Sequence, residues 1–177
     1  MKFSIALSPS VHAFMNAFTR WLNRVLFAIA VILLWGYFSG FRIAFDPQEE
    51  LCLPNMRWSI LHEQAPRNIK RGEMVFWSPH GVAPLANRNL SVSYAIKRVV
   101  GISGDYVQVS RAGVLINGEL VAVGSDLIQY YPDYKETSFT LGENDFFVVG
   151  EHPLSDDSRY WGVLDRKFIL GTAHAIL

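Results

Sequence analysis

The chain has 177 residues, which is enough to bury one hydrophobic core but hardly two. Its 16 basic side chains balance its 16 acidic ones, so no basic surface of the kind that binds nucleic acid is expected, and we predict no nucleic-acid partner. Hydrophobic residues make up 50% of the chain, a high share for a soluble domain, and their excess lies near the N-terminus.

An apolar segment with the sequence VLFAIAVILLWGYF occupies residues 25–38. Extended to residues 22–41 it is 20 residues long. A helix of that length spans about 30 Å, the thickness of a bilayer core. Arg24 at one end can extend to the interface, and Trp35 and Tyr37 lie toward the other end, where aromatic belts form. We therefore predict a single transmembrane anchor at residues 22–41.

The charges around this anchor predict its orientation. Residues 1–21 form a lead-in with a helical pattern, and three basic residues lie at or before the start of the apolar run, namely Lys2, Arg20 and Arg24. Arg42 alone follows the run closely, and the first acid is Asp46. By the positive-inside rule the lead-in is cytoplasmic, and residues 42–177 lie on the other side of the membrane.

Two other interpretations of the apolar segment stay open at this point. A cleaved signal peptide would have a shorter apolar region followed by a small-x-small site, and Phe41-Arg42-Ile43-Ala44 is a poor site of that kind. A buried core helix would be equally apolar. We favour a retained anchor over both.

Cys52 is the only cysteine, so no intrachain disulfide can form. It follows a short polar connector that we place at residues 42–50. In Leu51-Cys52-Leu53-Pro54 the proline fixes its own φ and restricts Leu53 to extended conformations, so the chain around the thiol is stiff. The thiol is then either a small buried hydrophobic group or a nucleophile.

Strand and turn patterns fill the chain beyond Cys52. Asn117-Gly118 lies between two apolar alternating runs, which is the strongest short-range signal for a hairpin. The one helical pattern after residue 50 spans residues 56–63. Seven strands are predicted, at residues 73–77, 91–100, 105–109, 113–116, 119–123, 146–149 and 168–173. The predicted fold class is mainly β, a sheet or barrel domain at residues 42–177 on a single N-terminal transmembrane helix.

Lys97 is the first candidate catalytic residue in this domain. Strand alternation puts it on the same face as Ala95 and Val99 and sends Arg98 to the opposite face. A lysine among apolar side chains loses hydration, which favours a neutral amine that can act as a general base. The alternative is that Lys97 lies on an edge strand and extends into solvent.

The segment at residues 155–162, Ser-Asp-Asp-Ser-Arg-Tyr-Trp-Gly, is the second candidate. It places two acids, two hydroxyls, one guanidinium and two aromatic rings in eight positions that follow an apolar strand. Polar loops that leave a core strand often carry function. The alternative is an Asp-Ser turn with an exposed Arg–Asp pair.

Together these segments resemble the type I signal peptidases, which are membrane-anchored proteases with a Ser–Lys dyad. Residues 94–105 are similar to the Lys-bearing box of that family, Lys-Arg-Val-x-Gly-x-Pro-Gly-Asp, and Asn117-Gly118 is similar to the hairpin beyond it. Residues 155–162 are similar to the terminal box, and residues 71–75 to the Arg-Gly-Asp-x-Val box. Order, spacing and anchor agree over residues 22–173.

The nucleophile box departs from the family pattern. Where the family has Ser, one or two residues and then Pro, this chain has Cys52-Leu53-Pro54. The one-residue spacing and single anchor resemble the TraF-type peptidases of conjugative transfer, which process a pilin precursor in the periplasm and in some systems yield a head-to-tail cyclic pilin. Met56 replaces a frequent Gly, and Glu50 replaces a hydroxyl that helps form the oxyanion hole in some members. That hole would rest on the Cys52 N–H and an unidentified donor.

The resemblance implies specific roles for residues of the site. Cys52 would be the nucleophile, Lys97 the general base, and Ser155 a hydrogen-bond partner of the Lys97 amine. A thiol is easier to ionise than a hydroxyl, so the replacement is compatible with catalysis. It would also give a thioester, which an amine captures more readily than an ester. Cleavage could therefore be coupled to pilin cyclisation.

The remaining implied roles are supporting ones. Asp157 and Arg159 would form a buried pair that holds the terminal box against the dyad. Leu53 and Ile96 would line the pocket for a small residue before the cleaved bond. The resemblance implies no metal and no cofactor.

The resemblance also implies a location and partners. It predicts a single-pass protein of the bacterial inner membrane, with residues 42–177 in the periplasm and a signal-peptide-bearing or pilin-like precursor as substrate. Membrane lipid is a further expected partner, because Trp58, Phe76 and Trp77 could form an apolar rim.

Two other functions stay open. The chain could be a catalytically inactive structural component of a conjugation or secretion apparatus. It could also be a Cys–His protease that uses His62, His80 or His152 as base, with Glu151 next to His152 as the acid considered for orienting it.

Overall fold

The computed structural model describes residues 8–64, 66–82 and 92–176. The chain divides into two compact units, Met1–Ser39 and Gly40–Leu177. Two residues used in the predictions lie outside the described residues. They are Lys2 of the lead-in and Ser91 at the start of a predicted strand.

The first unit is one helix, α1 (Pro9–Phe38). Pro9 opens it in the first-turn position that tolerates proline, and Gly40 follows its end with a φ of +78°, a conformation that stops helices. None of its residues is buried, and it is long and apolar enough to cross a membrane. The helix therefore takes in most of the predicted lead-in and ends before residue 41, because Phe41 pairs with His62 in a sheet.

The second unit is built from strands. Those that the described residues form are β1 (Phe41–Phe45), β2 (Trp58–His62), β3 (Met74–Trp77), β4 (Ala95–Gly101), β5 (Tyr106–Ser110), β6 (Gly113–Ile116), β7 (Glu119–Val123), β8 (Thr137–Thr140), β9 (Asp145–Val149), β10 (Leu164–Asp165) and β11 (Ile169–Ala175). They form a seven-stranded sheet of order β1-β2-β11-β3-β4-β9-β10 and a four-stranded sheet of order β7-β6-β5-β8. A short helix, α2 (Ser158–Trp161), follows β9. The predicted fold class, mainly β with one N-terminal apolar helix, is confirmed.

The hairpin signal is among the predictions that match the structure most closely. β6 and β7 have the predicted bounds, and Asn117 and Gly118 between them have φ angles of 52° and 85°. Positive φ at both central residues is what a type I′ turn requires, and Asn-Gly tolerates it best.

Two local predictions are wrong. The polar connector at residues 42–50 begins with strand residues, since β1 runs to Phe45, and the helical pattern at residues 56–63 is strand β2. The two strands pair with each other, and aromatic rings pack across them. Phe41 stacks on His62 at 4.6 Å, and Phe45 packs at a tilt against Trp58 at 4.8 Å between ring centroids. Cross-strand pairing of this kind outweighs weak local patterns.

The larger sheet positions the candidate site by separating two faces of β4. Lys97 lies opposite Val75 of β3, while Ile96 lies opposite Phe76. Val75 belongs to one buried cluster of the core, and Phe76 belongs to another that includes Leu53. Consecutive residues of β4 thus reach different parts of the core, as strand geometry requires.

Candidate active site

A cleft of about 580 Å³ opens where the end of β1, the loop after it and the start of β4 meet. Four of the seven residues predicted for the site line it, namely Cys52, Leu53, Ile96 and Lys97. The other three predicted residues, Ser155, Asp157 and Arg159, lie behind the cleft and are buried. Cys52 and Lys97, the predicted thiol and amine residues, thus line the same cleft.

The loop that carries Cys52 is fixed by a tight turn. Pro54 and Asn55 are its central residues, Asn55 has a φ of +62°, and the Met56 N–H donates to the Leu53 carbonyl at 3.3 Å. Proline followed by a residue of positive φ is the pattern of a type II turn. The Leu53 side chain is 3% exposed, whereas Cys52 is half-buried, so the turn anchors Leu53 and leaves the thiol at the cleft.

Lys97 lies in the interior of the sheet. β4 has β3 on one side and β9 on the other, and Lys97 is 6% exposed, so the edge-strand alternative does not hold. Within the described part of the chain its amine makes no hydrogen bond or ion pair.

Ser155 does not make its expected hydrogen bond. Its Oγ is fully buried and has no partner among the described residues, so it is not bonded to the Lys97 amine. The reason is its orientation toward Gly150: a methyl group at position 150 would overlap Ser155 Oγ and would lie 3.0 Å from the Cys52 carbonyl oxygen. Both the hydroxyl and the Cys52 carbonyl therefore lie close to Gly150.

Asp157 and Arg159 form a buried ion pair. Arg159 Nε and Nη2 each donate to one oxygen of Asp157 at 2.8 Å, and the Gly150 N–H donates to Asp157 Oδ2 at 2.8 Å. Burial opposes the charge of Arg159, but the hydrogen bond and the negative charge of Asp157 outweigh it, so the Arg159 pKa lies above its ordinary value. The pair fastens the terminal segment to the end of β9.

From the sequence, Glu151 was notable only as a neighbour of His152. Its carboxylate accepts from Arg98 Nε at 3.0 Å and from Arg98 Nη2 at 2.7 Å, and its N–H donates to the Cys52 carbonyl at 2.7 Å. Strand alternation, which turns Arg98 away from Lys97, was the signal that could have suggested a partner for this arginine.

Gly150 and Arg57 were missed altogether. A glycine directly after an apolar strand is a signal for close approach of another segment, and Gly150 has that place after β9. Arg57 bonds to carbonyl groups of the loop before Cys52, and no local pattern reports such contacts.

The histidines do not supply a base. His152 accepts from the Leu154 N–H through Nδ1 at 3.1 Å and faces Glu50 through Nε2 at 3.1 Å, so both ring nitrogens are engaged. His62 stacks on Phe41 in the β1–β2 hairpin. Among the described residues no histidine lines the cleft, which argues against the Cys–His interpretation.

The predicted apolar rim is wrong in two of its three members. Phe76 and Trp77 are 0% and 1% exposed, because β3 lies between β11 and β4 inside the larger sheet. Trp58 is exposed, on β2. In the residues that the structure describes, no group of three or more His, Cys, Asp or Glu side chains is placed to hold a metal ion.

Comparison with known families decides the classification. The family model described as "Signal peptidase, peptidase S26" matches residues 18–177. The chain belongs to this family. An apolar N-terminal helix on an S26 chain indicates a membrane-anchored protein.

Individual relatives are similar over part of their length. A signal peptidase I from Leptolyngbya laminosa is 34% identical over 105 residues, which is 59% of this chain and 50% of the relative. A plasmid transfer protein TraF from Escherichia coli is 33% identical over 91 residues, 48% of this chain and 51% of the relative. The chain thus spans about half the length of these relatives. A crystal structure of a signal peptidase I from Enterococcus faecalis aligns with a TM-score of 0.37 at 22% identity, covering 60% of this chain and 97% of that one.

Proposed function

We propose that this S26 chain is a membrane-bound endopeptidase in which Cys52 is the nucleophile and Lys97 the general base. The observation that supports this proposal is that the only thiol of the chain and the side chain of a buried lysine line the same cleft. No hydrogen bond or ion pair with another described residue competes for the amine, which suits a role as general base toward the thiol.

The reaction follows from these two groups. The Cys52 sulfur attacks the scissile carbonyl as its proton passes to the Lys97 amine, and that proton then goes to the leaving amine as the C–N bond breaks. An acyl thioester on Cys52 remains. The Cys52 N–H donates no hydrogen bond in the described part of the chain and is one donor for the oxyanion. Ser155 can reach the amine only if its hydroxyl turns away from Gly150.

Leu53 and Ile96 carry the proposed specificity. Both line the cleft beside the thiol and the amine, and both are apolar, so they suit a small apolar side chain before the cleaved bond. The substrate is then a precursor with a signal peptide or a pilin-like segment. Support for this class comes from the relatives, a signal peptidase I and a plasmid transfer protein TraF.

The membrane location of the chain is proposed from its N-terminal charges and from an exposed apolar surface. The basic residues before the apolar run favour a cytoplasmic N-terminus and a periplasmic second unit at the inner membrane. Lipid contact is assigned to the β1–β2 hairpin in place of the predicted rim. One face of this hairpin exposes five large apolar side chains, namely Phe41, Ile43, Phe45, Trp58 and Ile60.

Cyclisation is the finer form of the proposal. Water that attacks the thioester yields a carboxylate, whereas an α-amino group of the same acyl chain forms a new amide and returns the thiol. Cys52 favours the second outcome because thioesters react readily with amines. Intact-mass analysis of the processed product tests it, since a ring is lighter than the linear product by one water.

A processing experiment tests the enzyme itself. We expect Cys52→Ala and Lys97→Ala, each in full-length protein in proteoliposomes, to abolish cleavage of a precursor while folding is retained. His152→Ala should keep measurable cleavage. If both dyad variants still cleave the precursor, other residues carry the reaction. If the parent protein itself cleaves no precursor, the chain is instead the inactive structural component, an alternative kept open by Glu50, which stands where some members have a hydroxyl.

A further inference from the structure

We infer that Arg57 and His152 are positioning residues that clamp the loop carrying Cys52 from two sides. The inference rests on the proposed function, because it concerns the aim of the thiol at the Lys97 amine. The loop at issue, called the nucleophile loop, comprises residues 46–53. Its residues 47–50 are exposed and have no strand or helix to hold them.

Arg57 is the clamp on the β2 side. Its Nη1 donates to the carbonyl groups of Asp46 at 3.2 Å and Gln48 at 3.0 Å, and its Nη2 donates to that of Glu49 at 3.4 Å. One planar guanidinium thus fixes three carbonyls of the loop. The backbone of Arg57 is itself fixed, because its carbonyl accepts from the Asp46 N–H at 2.9 Å. A lysine in this place has a single nitrogen and cannot reproduce the fork.

His152 is the clamp on the opposite side. The N–H groups of Glu151 and His152 both donate to the Cys52 carbonyl, at 2.7 and 3.2 Å. The His152 ring adds a side-chain contact: Nδ1 accepts from Leu154, so Nε2 carries the proton and points at the Glu50 carboxylate 3.1 Å away. One clamp therefore holds the loop at Asp46, Gln48 and Glu49, and the other holds it at Glu50 and at Cys52 itself.

The two clamps differ in expected strength. The Glu50 carboxylate is 71% exposed, and exposed pairs contribute little, so the ring contact of His152 is the weaker one. Arg57 is half-buried and donates three charge-assisted hydrogen bonds. Misplacement of a reacting group by about 1 Å can lower a rate by about 100-fold. Loss of the Arg57 fork should therefore act on catalysis more than loss of the His152 contact.

The test for Arg57 reads the thiol directly. Because Cys52 is the only cysteine, iodoacetamide labels one site, and the ratio of its alkylation rates in the parent and in Lys97→Met measures how strongly the lysine activates the thiol. We expect Arg57→Lys to bring this ratio close to one. It should also lower kcat for precursor cleavage by about 10- to 100-fold with KM changed less than about twofold, since the loop is displaced and the binding pocket is kept.

Arg166 supplies the matched control. It also donates to two backbone carbonyls of a loop, those of Pro66 and Arg67, but it does not line the cleft. We expect Arg166→Lys to lower the thermal unfolding midpoint as Arg57→Lys does, and to leave kcat and the alkylation ratio unchanged. If Arg57→Lys and Arg166→Lys changed kcat and the alkylation ratio equally, Arg57 would have only a structural role, and the inference for Arg57 would be overturned.

The test for His152 separates its two contacts. His152→Asn keeps an acceptor for the Leu154 N–H, because asparagine accepts from the residue two positions on, but its side chain is too short to reach Glu50. We expect His152→Asn and Glu50→Gln each to lower kcat by about two- to fivefold, and the double variant no further. An unchanged kcat in both variants overturns the role of the ring. These variants leave the backbone clamp intact, so they also serve if Arg57→Lys does not fold.

The outcomes distinguish this inference from the proposed function. If Lys97→Met does not alter alkylation of Cys52 in the parent protein and Cys52→Ala still cleaves, the dyad is wrong and the positioning role falls with it. If Lys97→Met slows alkylation but Arg57→Lys leaves the ratio as in the parent, the dyad stands and the clamp is wrong.

Discussion

Ser155 packs its side chain against Gly150 so closely that position 150 has no room for a methyl group. A Cβ at position 150 would also lie only 3.0 Å from the carbonyl oxygen of Cys52. Gly150, which the sequence did not single out, thus allows the nucleophile loop and the terminal segment to approach each other closely.

We expect Gly150→Ala to lower both stability and precursor cleavage. The added methyl must displace Ser155 or the Cys52 backbone, and overpacking of this kind costs about 1–3 kcal/mol. Thermal unfolding and initial rates of cleavage are the measurements. Gly142→Ala is the control, because a Cβ there meets only the Asp145 side chain, at 3.0 Å from its carboxylate oxygen. A Gly150→Ala protein as stable and active as the control would contradict the packing.

Asp105 should make the fold sensitive to acid. Burial opposes its charge, but hydrogen bonds from the Ile102 N–H, from Asn117 and from Arg71 outweigh it, so the Asp105 pKa lies below its ordinary value of 3.8. A carboxyl with a lowered folded pKa stabilises the fold above its unfolded pKa, and the contribution is lost as the pH falls through the folded value. We expect the unfolding midpoint of the parent to drop as the pH falls below about 4.

Replacement of Asp105 checks this origin. Asp105→Asn removes the charge that accepts from Arg71 at 2.7 and 2.8 Å, so it should lower stability at neutral pH and flatten the acid limb. Asp165→Asn is the matched control. Asp165 also has a lowered pKa, chiefly from hydrogen bonds with Lys167, but the pair is exposed and should add little. If the unfolding midpoint of Asp105→Asn fell as steeply with decreasing pH as that of the parent, the acid sensitivity would belong to other carboxyl groups.

Local sequence patterns predicted only those features that depend on residues close together in the sequence. Alternation placed Lys97 and Arg98 on opposite faces, and Asn117-Gly118 predicted a turn, because both depend on consecutive residues. That β4 is a central strand, which buries Lys97, depends on β3 and β9, and no local pattern contains them.

The rest of the site depends on contacts between distant segments. Arg57 donates to the loop before Cys52, and both lie next to the β1–β2 hairpin, which was itself predicted as connector and helix. Gly150 lies close to Cys52 although the two residues are far apart along the chain. The Ser155 hydroxyl depends on a single side-chain torsion, so the resemblance could name its partner but could not fix its orientation.

Cys52→Ser separates cleavage from amine capture. An oxygen ester reacts with amines more slowly than a thioester, while Lys97 can serve either nucleophile. We expect the serine variant to cleave the precursor and to give a larger share of linear, hydrolysed product than the parent. Intact mass of the product distinguishes the two by one water. Identical product ratios from both proteins would contradict a role for the thioester in ring closure, without touching the assignment of the nucleophile.

The exposed face of the β1–β2 hairpin should contact lipid. β1 begins at Phe41, three residues after α1 ends at Phe38, and three residues span at most about 11 Å. If α1 crosses the bilayer, chain connectivity keeps the start of the hairpin close to the membrane surface. Ile43 is 72% exposed there, and its cross-strand neighbour Ile60 is also exposed, so burial of this pair in the interface would remove apolar surface from water.

Site-specific labelling of the full-length protein tests that contact. In a Cys52→Ser background, Ile43→Cys and Ile60→Cys carry an environment-sensitive dye in proteoliposomes, and Leu120→Cys on β7 of the other sheet is the control. We expect blue-shifted emission and quenching by spin-labelled lipid at positions 43 and 60, and a water-like spectrum at position 120. All three side chains are exposed in the protein itself, so only contact with lipid can make their spectra differ. Water-like spectra at all three positions would therefore mean that this face does not contact the bilayer.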